Sequence, residues 1–229
     1  GCLVDGITTG WNGGNDGSIR ALARNCVIRN CDAYDGAKHH VLLAEGLCEN
    51  VNAYDAEPIP GIGQAIAIIA YNNFIDGKSA GVTVRGCSID YVTYTLNSSL
   101  GVYGHGGIGA EKVVVEDCTF KNCAVGVGQI LCNNVIVSRC VGVRCGALVT
   151  NDAGSANVFI YRCRIIGDAS ITNASGVLAN GSFASLHIRH SECMCAGSGT
   201  PVRTTYTSGL DMRFSQITNN GAGGGGPHM

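Results

Sequence analysis

The chain has 229 residues, of which 45% are hydrophobic and 14% are charged, and it contains 34 glycines and 13 cysteines. This hydrophobic content excludes a disordered chain, and the length is sufficient for one domain with a buried core. The formal net charge of −2 offers no electrostatic basis for binding nucleic acid or an anionic membrane, so we expect no nucleic-acid partner. The longest apolar run, AIAIIA at 65–70, is too short to cross a bilayer, and no membrane insertion is expected.

One phrase recurs along the chain between residues 21 and 217. It combines alternating apolar residues, two polar residues, a small residue at the sixth position and an apolar residue two positions later. Its copies are ALARNCVIRNC from Ala21, VLLAEGLCENV from Val41, VTVRGCSIDYV from Val82, VVVEDCTFKNC from Val113, VIVSRCVGVRC from Val135, VFIYRCRI from Val158, LHIRHSEC from Leu186 and LDMRFSQI from Leu210. Most copies lie 20 to 24 residues apart and three intervals are longer, which predicts a solenoid with loops inserted into particular coils.

The secondary structure of each repeat follows from its periodicity. Apolar residues alternate at a period of two and are mostly β-branched, as at Val113, Val115, Val135 and Val137. No segment has ten or more residues with apolar positions at helical spacing. The sequence therefore predicts an all-β parallel solenoid, which residues 1–220 form as a single domain.

The sixth position of the phrase is small in every repeat. It is occupied by Cys26, Gly46, Cys87, Cys118, Cys140, Cys163, Ser191 and Ser215, which we expect to form one inward-facing column. Buried cysteine packs as a small apolar residue. Stacked neighbours would have Cα atoms ~4.8 Å apart, but their parallel Cβ vectors favour packed, reduced thiols over disulfides. Because no CxxC pair occurs, we expect no metal site.

Charges and amides at equivalent positions support this stacking. Opposite charges recur one repeat apart in five pairs: Arg29 and Glu49, Arg85 and Glu116, Asp117 and Arg139, Asp90 and Lys121, and Arg164 and Glu192. The pattern assigns these carboxylates a structural role. A corner column of asparagines is also expected, with Asn30, Asn50, Asn122 and Asn219 as members, because stacked amides bond to one another and to the turn backbone.

The phrases VTVRGCSI and VVVEDCTFKNC resemble the right-handed parallel β-helix, or pectin-lyase-like, family, which includes phage tailspike-type depolymerases. The resemblance extends over residues 21–217. It implies a right-handed parallel β-helix of about eight to nine coils, with loop insertions on one side. It also implies a carbohydrate-active protein that binds and hydrolyses a polysaccharide in a lateral groove. The clustered Asp ligands and arginine phrase of the family's lyases are missing, so a lyase is less favoured and no calcium or other cofactor is expected.

The insertions place the candidate catalytic residues. They contain residues 57–64 with 71–80, then 93–112, then 167–176. Glycoside hydrolysis needs two carboxylates. Asp152 directly follows the predicted strand at 146–150, and we expect it to act with Glu57 or Asp76 as the acid/base pair. The competing interpretation is an Asx-turn at Asp152 and simple solvation of loop carboxylates at Glu57 and Asp76.

Aromatic, amide and cationic side chains near the same strands are expected to line the groove. Tyrosine rings stack on sugars, and an imidazole can bind a sugar or transfer a proton. The expected substrate-binding residues are Tyr71, Tyr103, His105, Gln129, Asn180 and Arg203. For His105, an exposed loop histidine without function is the alternative.

A second hypothesis is a non-catalytic β-helical shaft or receptor-binding module of a phage tail or surface protein. Low charge and structurally explained carboxylates support it, and either hypothesis favours an extracellular or virion-associated location. No capping helix is evident at either end, so we expect an excised segment or a subunit covered by partners, as a homotrimer or through end-to-end domains. Residues 221–229 form a glycine-rich, linker-like tail.

Overall fold

The fold is known from a computed structural model, which describes residues 1–10, 19–34, 39–54, 65–72, 80–91, 99–106, 110–128, 132–151, 156–170, 175–196 and 200–219. This part of the chain contains twenty-two β-strands and no helix. All pairings between these strands are parallel. The predicted all-β parallel solenoid is confirmed.

The strands are short in most of the chain and long at its C-terminal end. In chain order they are β1 Leu3–Asp5, β2 Thr8–Gly10, β3 Ile19–Ala21, β4 Cys26–Arg29, β5 Asp32–Tyr34, β6 His39–Leu43, β7 Gly46–Glu49, β8 Asn52–Tyr54, β9 Ala65–Asn72, β10 Val82–Arg85, β11 Ser88–Asp90, β12 Ser99–Gly106, β13 Ala110–Glu116, β14 Thr119–Lys121, β15 Val125–Gly128, β16 Cys132–Ser138, β17 Val141–Val143, β18 Ala147–Asn151, β19 Asn157–Tyr161, β20 Arg164–Ile166, β21 Val177–Cys195 and β22 Val202–Asn219.

Strands three apart in chain order pair with each other, which builds three lateral faces. Face A contains β1, β4, β7, β10, β13, β16 and β19. Face B contains β2, β5, β8, β11, β14, β17 and β20, and face C contains β3, β6, β9, β12, β15 and β18. The first eighteen strands make six turns of three strands each, fewer than the eight to nine coils expected. The difference is small, because β19 to β22 continue the stack in strands that no longer break at every corner.

The corner between faces A and B depends on left-handed backbone. One residue at each level has φ near +50° to +70°, including Asn30, Asn50 and Gly86. Asparagine and glycine adopt this conformation at low cost. Asn50 Nδ2 donates to Asn30 Oδ1 at 3.4 Å, and Asn30 Nδ2 donates to Asp5 Oδ1 at 2.9 Å. The asparagine column is therefore present at these two residues.

Two other asparagines assigned to that column lie elsewhere. Asn122 occupies the corner between faces B and C, where its side chain donates to the carbonyl of Tyr91. Asn219 pairs with Cys195 at the end of β22. The error arises because the phrase contains asparagine before more than one corner, and spacing alone does not distinguish the corners.

The cysteine column is confirmed in the middle of the solenoid. The amide of Val141 donates to Cys118 O, and the amide of Arg164 donates to Cys140 O, each at 2.9 Å. Cys118, Cys140 and Cys163 are therefore vertical neighbours, and Cys87 lies one level before them because Thr119 N donates to its carbonyl.

The predicted register is wrong in the first two repeats. Cys26 pairs with Gly46, and Gly46 pairs with Val82 rather than lying level with Cys87. Cys31 and Val51 are the residues stacked below Cys87 in the preceding turns. The amide of Asn52 donates to the carbonyl of Cys31, and the amide of Ser88 donates to the carbonyl of Val51. The strand CVIR, not ALAR, is thus the counterpart of VTVR. The sequence did not distinguish the two segments because ALAR and CVIR alternate in the same way.

The thiols are packed into the core, as the sequence predicts. All thirteen cysteines are free, and all of them except Cys2 are buried. Burial raises the pKa of the Cys132 thiol to about 11, and burial also raises the pKa of Cys123 well above its usual range. The reactive thiolate is therefore disfavoured at Cys123 and Cys132.

We expect the Cys2 thiol to be the one that iodoacetamide alkylates rapidly in the folded protein. The buried thiols should react at least about 100-fold more slowly than Cys2, because each becomes accessible only when the structure opens locally or globally. Mass spectrometry of the labelled chain at increasing urea concentrations measures this. Cys2→Ser should remove the fast phase, and rapid labelling of several sites without urea would contradict the packed column.

Candidate functional site

Several predicted site residues lie outside the described residues. These are the catalytic candidates Asp152, Glu57 and Asp76 and the binding candidate Gln129. For Tyr71 and His105 the structure describes the backbone, and it pairs the two residues on adjacent strands β9 and β12 of face C. The backbone register therefore places these two binding candidates directly opposite each other on neighbouring strands.

Three other binding candidates share one outward column on face C. Tyr103 pairs with Gly128, Gly128 with Thr150, Thr150 with Asn180, and Asn180 with Arg203. Four strand spacings separate the two ends of this column, about 19 Å. Asn180 and Arg203 are exposed. The structure thus aligns three residues along the solenoid axis, although the first and last of them are 100 positions apart in the sequence.

Tyr103 is the least accessible of the three binding candidates in that column. Its ring packs against Leu42 and Leu100 in a small cluster on the outside of face C. This burial raises the pKa of the Tyr103 hydroxyl. Tyr103 therefore offers a partly covered ring at one end of the column, whereas the amide and guanidinium at the other end are open to solvent.

The clearest concave surface of the described chain is on face B, which the sequence did not indicate. It is an open cleft of about 490 Å³ that extends onto the corner with face C. Strand alternation turns Asn52, Tyr54, Ser88, Asp90 and Lys121 outward, whereas the residues between them, such as Ile89, face the core. The corner adds Tyr91, Asn122 and Arg144 to the lining.

The aromatic wall of the cleft is held by ring stacking. Tyr34 and Tyr54 are level partners on β5 and β8, and their ring centroids are 5.8 Å apart with planes inclined by 22°. Behind this wall, His40 Nε2 lies 3.1 Å from the carbonyl oxygen of Tyr54. The Tyr54 ring is therefore preorganised before any ligand arrives.

The charges of the cleft are balanced. Lys121 Nζ lies 2.6 Å from Asp90 Oδ2, and Arg144 Nε lies 3.5 Å from Asp168 Oδ2. Hydrogen bonds from Ser170, and then the Arg144 charge, hold the pKa of Asp168 below its usual range. The cleft thus presents many donors and acceptors with no net charge, a combination that suits an uncharged polyhydroxyl ligand better than an ion.

The floor of the cleft is rigid. Tyr91 is buried, and its hydroxyl donates to Leu100 O at 2.7 Å. The Asn122 amide donates to the carbonyl of Tyr91 and is itself buried. Because Leu100 belongs to β12, these bonds connect the cleft on face B to the column of binding candidates on face C.

Every carboxylate whose side chain is described is engaged by a hydrogen bond or an ion pair. The predicted pairs Asp117 with Arg139, Asp90 with Lys121 and Arg164 with Glu192 are confirmed at 2.6, 2.6 and 3.5 Å. The other carboxylates of this set are Asp5, Asp32, Glu45, Glu49, Glu116, Asp168 and Asp211.

Two predicted pairs exchange partners. Arg29 bonds to Asp5 at 2.8 Å, and Arg85 bonds to Glu49, although Arg29 and Glu49 are level neighbours, as are Arg85 and Glu116. Arg139 bridges Glu116 and Asp117. Each of these three arginines therefore bonds to the preceding level, whereas Arg164 bonds to Glu192 on the following level. Sequence spacing does not contain this choice of direction.

A signal for the missed cleft was present in the sequence. The tripeptide AYD occurs at 33–35 and again at 53–55, one repeat apart, which places two tyrosines in one outward column. Within the described residues, no cluster of three His, Cys, Asp or Glu side chains is arranged to hold a metal ion. The same part of the chain has no helix of the length and apolarity needed to span a membrane.

Fold and site together define a parallel β-solenoid with a polar cleft on its side, whose charged residues are paired within the chain. Comparisons of the chain with protein-family models, with curated proteins and with solved structures find no match.

Proposed function

We propose that this protein binds a polysaccharide on its lateral surface, with the face B cleft as a principal subsite. The observation that carries the proposal is the cleft itself, in which a preorganised tyrosine ring stands beside amide, carboxylate, ammonium and guanidinium groups. Concave surfaces with a few convergent polar groups are the usual places for ligand binding. Sugars match this lining, since they combine an apolar ring face with hydroxyls around the edge.

The extent of the surface favours a polymer over a single sugar. The cleft lies on face B, and the column from Tyr103 to Arg203 lies on the adjoining face C. A chain bound across the corner reaches both, and Tyr71, His105 and Gln129 extend the same set of binding residues. The balanced charges of the cleft support a neutral glycan as its ligand.

We further propose that the protein hydrolyses the bound glycan. Asp152 would act with Glu57 or Asp76 as the acid and base of a glycoside hydrolase. Support for this choice comes from the described carboxylates, each of which is engaged in structural bonds. Among the described residues of the cleft lining, Asp90 is the one carboxylate, and Lys121 neutralises it.

Tyr54→Ala should weaken binding of a neutral polysaccharide about tenfold. The change removes a ring of the cleft lining that is held in place by stacking on Tyr34 and that could contact a sugar. A contact between a sugar and an aromatic ring is worth about 1 kcal/mol or more. Affinity electrophoresis against a panel of neutral polysaccharides measures the effect.

Tyr34→Ala is the matched control for that variant. Tyr34 stacks on Tyr54 but does not line the cleft, so its loss should leave most of the affinity. Equal losses in the two variants would show that folding of β5 and β8, rather than sugar contact, explains the result. An unchanged affinity in Tyr54→Ala would exclude the cleft as the subsite.

Asp152→Asn should reduce the release of reducing ends from a cleaved polysaccharide by about 100-fold or more, because acid/base catalysis contributes about that factor. Glu57→Gln and Asp76→Asn identify the second carboxylate in the same assay. Asp117→Asn should retain hydrolysis, because Asp117 lies outside the cleft lining and serves an ion pair with Arg139. Hydrolysis that persists in Asp152→Asn would show the assignment to be wrong.

A non-catalytic shaft or receptor-binding module is the second candidate. The engagement of every described carboxylate side chain favours it, because a solenoid of this kind is explained by structure alone. Binding of a glycan without release of reducing ends would support this candidate and would leave the cleft proposal intact.

A further inference from the structure

The outer surface of face A carries an apolar column. Seven outward residues lie at consecutive levels, and all except Thr83 are apolar: Leu3, Val27, Leu47, Thr83, Val114, Ile136 and Phe159. Leu3 is 59% exposed and Phe159 is 39% exposed, and the others are partly exposed. The column extends over six strand spacings, about 29 Å.

The outward positions of face B differ at the same levels. Asn52, Ser88 and Thr119 are stacked at three consecutive levels there, and all three are polar, whereas Val141 at the next level is apolar. An exposed apolar stripe of this length, interrupted only at Thr83, is typical of an interaction surface. Its shape is long, narrow and flat, unlike the concave cleft on face B.

A charged column runs beside the apolar one, two residues further along each strand. Its members at five consecutive levels are Asp5, Arg29, Glu49, Arg85 and Glu116, so the sign alternates at every level. Within the chain, Arg29 bonds to Asp5, Arg85 to Glu49, and Arg139 to Glu116. The column therefore carries almost no net charge and does not repel a similar surface.

We propose that face A binds a second copy of this chain across a two-fold axis. The axis runs parallel to the strands, between the two facing copies, at a level midway between β7 and β10. Rotation about it keeps each position along the strand and reverses the order of the levels. The first six residues of the apolar column then face the same six residues of the second copy, and Phe159 lies beyond them. In the charged column, four charges face opposite charges, and Asp5 faces Ser138 of the second copy.

Reversal of the levels makes the alternating charges complementary. Glu49 faces Arg85 of the second copy, and Arg29 faces Glu116 of the second copy. In the apolar column, Val27 meets Val114 and Leu3 meets Ile136 of the second copy. A two-fold axis along the solenoid would instead bring equal levels together and reverse the positions along the strand, so that the charged column would meet itself only with like charges opposed.

This self-complementarity is the reason for choosing a second copy over an unrelated partner. A two-fold contact requires one surface to match itself, and an alternating neutral column beside an apolar stripe does so. A different protein would need a column of charges with the same alternating sign and spacing, which a second copy of this chain already has. The proposed contact differs from the homotrimer and the end-to-end contacts considered from the sequence, because it uses one lateral face twice.

Sedimentation velocity over a range of protein concentrations tests the contact. The unmodified chain should form dimers at micromolar concentrations, and Val114→Glu should be monomeric. Thr119→Glu is the matched control on face B of the same turn, and it should dimerise like the unmodified chain. Circular dichroism confirms that both variants are folded.

A charge exchange tests the axis itself. The double variant Glu49→Arg, Arg85→Glu keeps the pair within the chain and restores opposite charges between two identical copies. It should therefore form dimers with itself but not with the unmodified chain, because position 49 of the unmodified chain and position 85 of the variant would both be acidic. Native mass spectrometry of a mixture with one mass-tagged component measures mixed dimers.

Four results would overturn the proposal. They are a monomer at all concentrations, a trimer, a dimer that persists in Val114→Glu, and free mixing of the exchanged variant with the unmodified chain. Sugar binding at the face B cleft is independent of each of these outcomes.

Discussion

Phe120→Ala is expected to lower the free energy of unfolding by about 3–5 kcal/mol. Phe120 is fully buried on β14, between Ile89 of the preceding level and Gly142 of the next. A Cβ atom at Gly101 would lie 2.5 Å from its ring, and one at Gly126 would lie 3.2 Å away. Glycines on face C thus leave the space that this ring fills, and an alanine would leave a cavity that they cannot close.

Urea unfolding followed by circular dichroism measures this loss. Because domains of this kind have a total stability of about 5–15 kcal/mol, the midpoint should fall sharply. Phe159→Ala is the matched control, since Phe159 is 39% exposed on face A and stacks on His187 at 4.8 Å. It should cost about 1 kcal/mol. Similar losses in both variants would contradict the central role of Phe120.

Gly46→Ala is expected to destabilise the protein by about 2–6 kcal/mol, from backbone strain together with overpacking. Gly46 has a φ of +131°, a conformation that side chains rarely adopt. An added Cβ would also collide with the carbonyl of Cys26, which belongs to the paired strand β4. The neighbouring backbone cannot move aside without breaking that pairing.

Gly86→Asn provides the contrast with Gly46→Ala. Gly86 has a φ of +61° and occupies the corner column in which Asn30 and Asn50 have the same conformation. Asparagine tolerates this region, so the change should alter the free energy of unfolding by less than about 1 kcal/mol. If Gly46→Ala were as mild as Gly86→Asn, the strain assigned to Gly46 would be refuted.

The cysteine phrases illustrate what could be predicted about the fold. Strand alternation is a local property, so VVVEDC and VIVSRC predict both a strand and its inward face correctly. The stacking of Cys118, Cys140 and Cys163 follows because their repeats are contiguous. The first two repeats were misaligned, since ALAR and CVIR alternate alike and only pairing with Val82 distinguishes them.

The candidate site shows the opposite case. The lining of the face B cleft comes from four levels, and its residues extend from Asn52 to Arg144 in the chain. From their side chains and their position beside predicted strands, the sequence predicted Tyr103, Asn180 and Arg203 as binding candidates, and the structure places them in one column. The catalytic roles of Asp152, Glu57 and Asp76 remain predictions, to be decided by the hydrolysis assay.

By itself, the sequence determined that the chain forms parallel strands, that each repeat stacks on the one before it, and that the cysteine thiols lie in the core. Those properties depend on residues close together in the chain, whose alternation sets the buried side of each strand. Tertiary structure alone decided the register of the early turns, the direction in which each arginine bonds, and the position of the cleft. These depend on which levels meet across corners and long insertions, and such contacts are made between residues far apart in sequence.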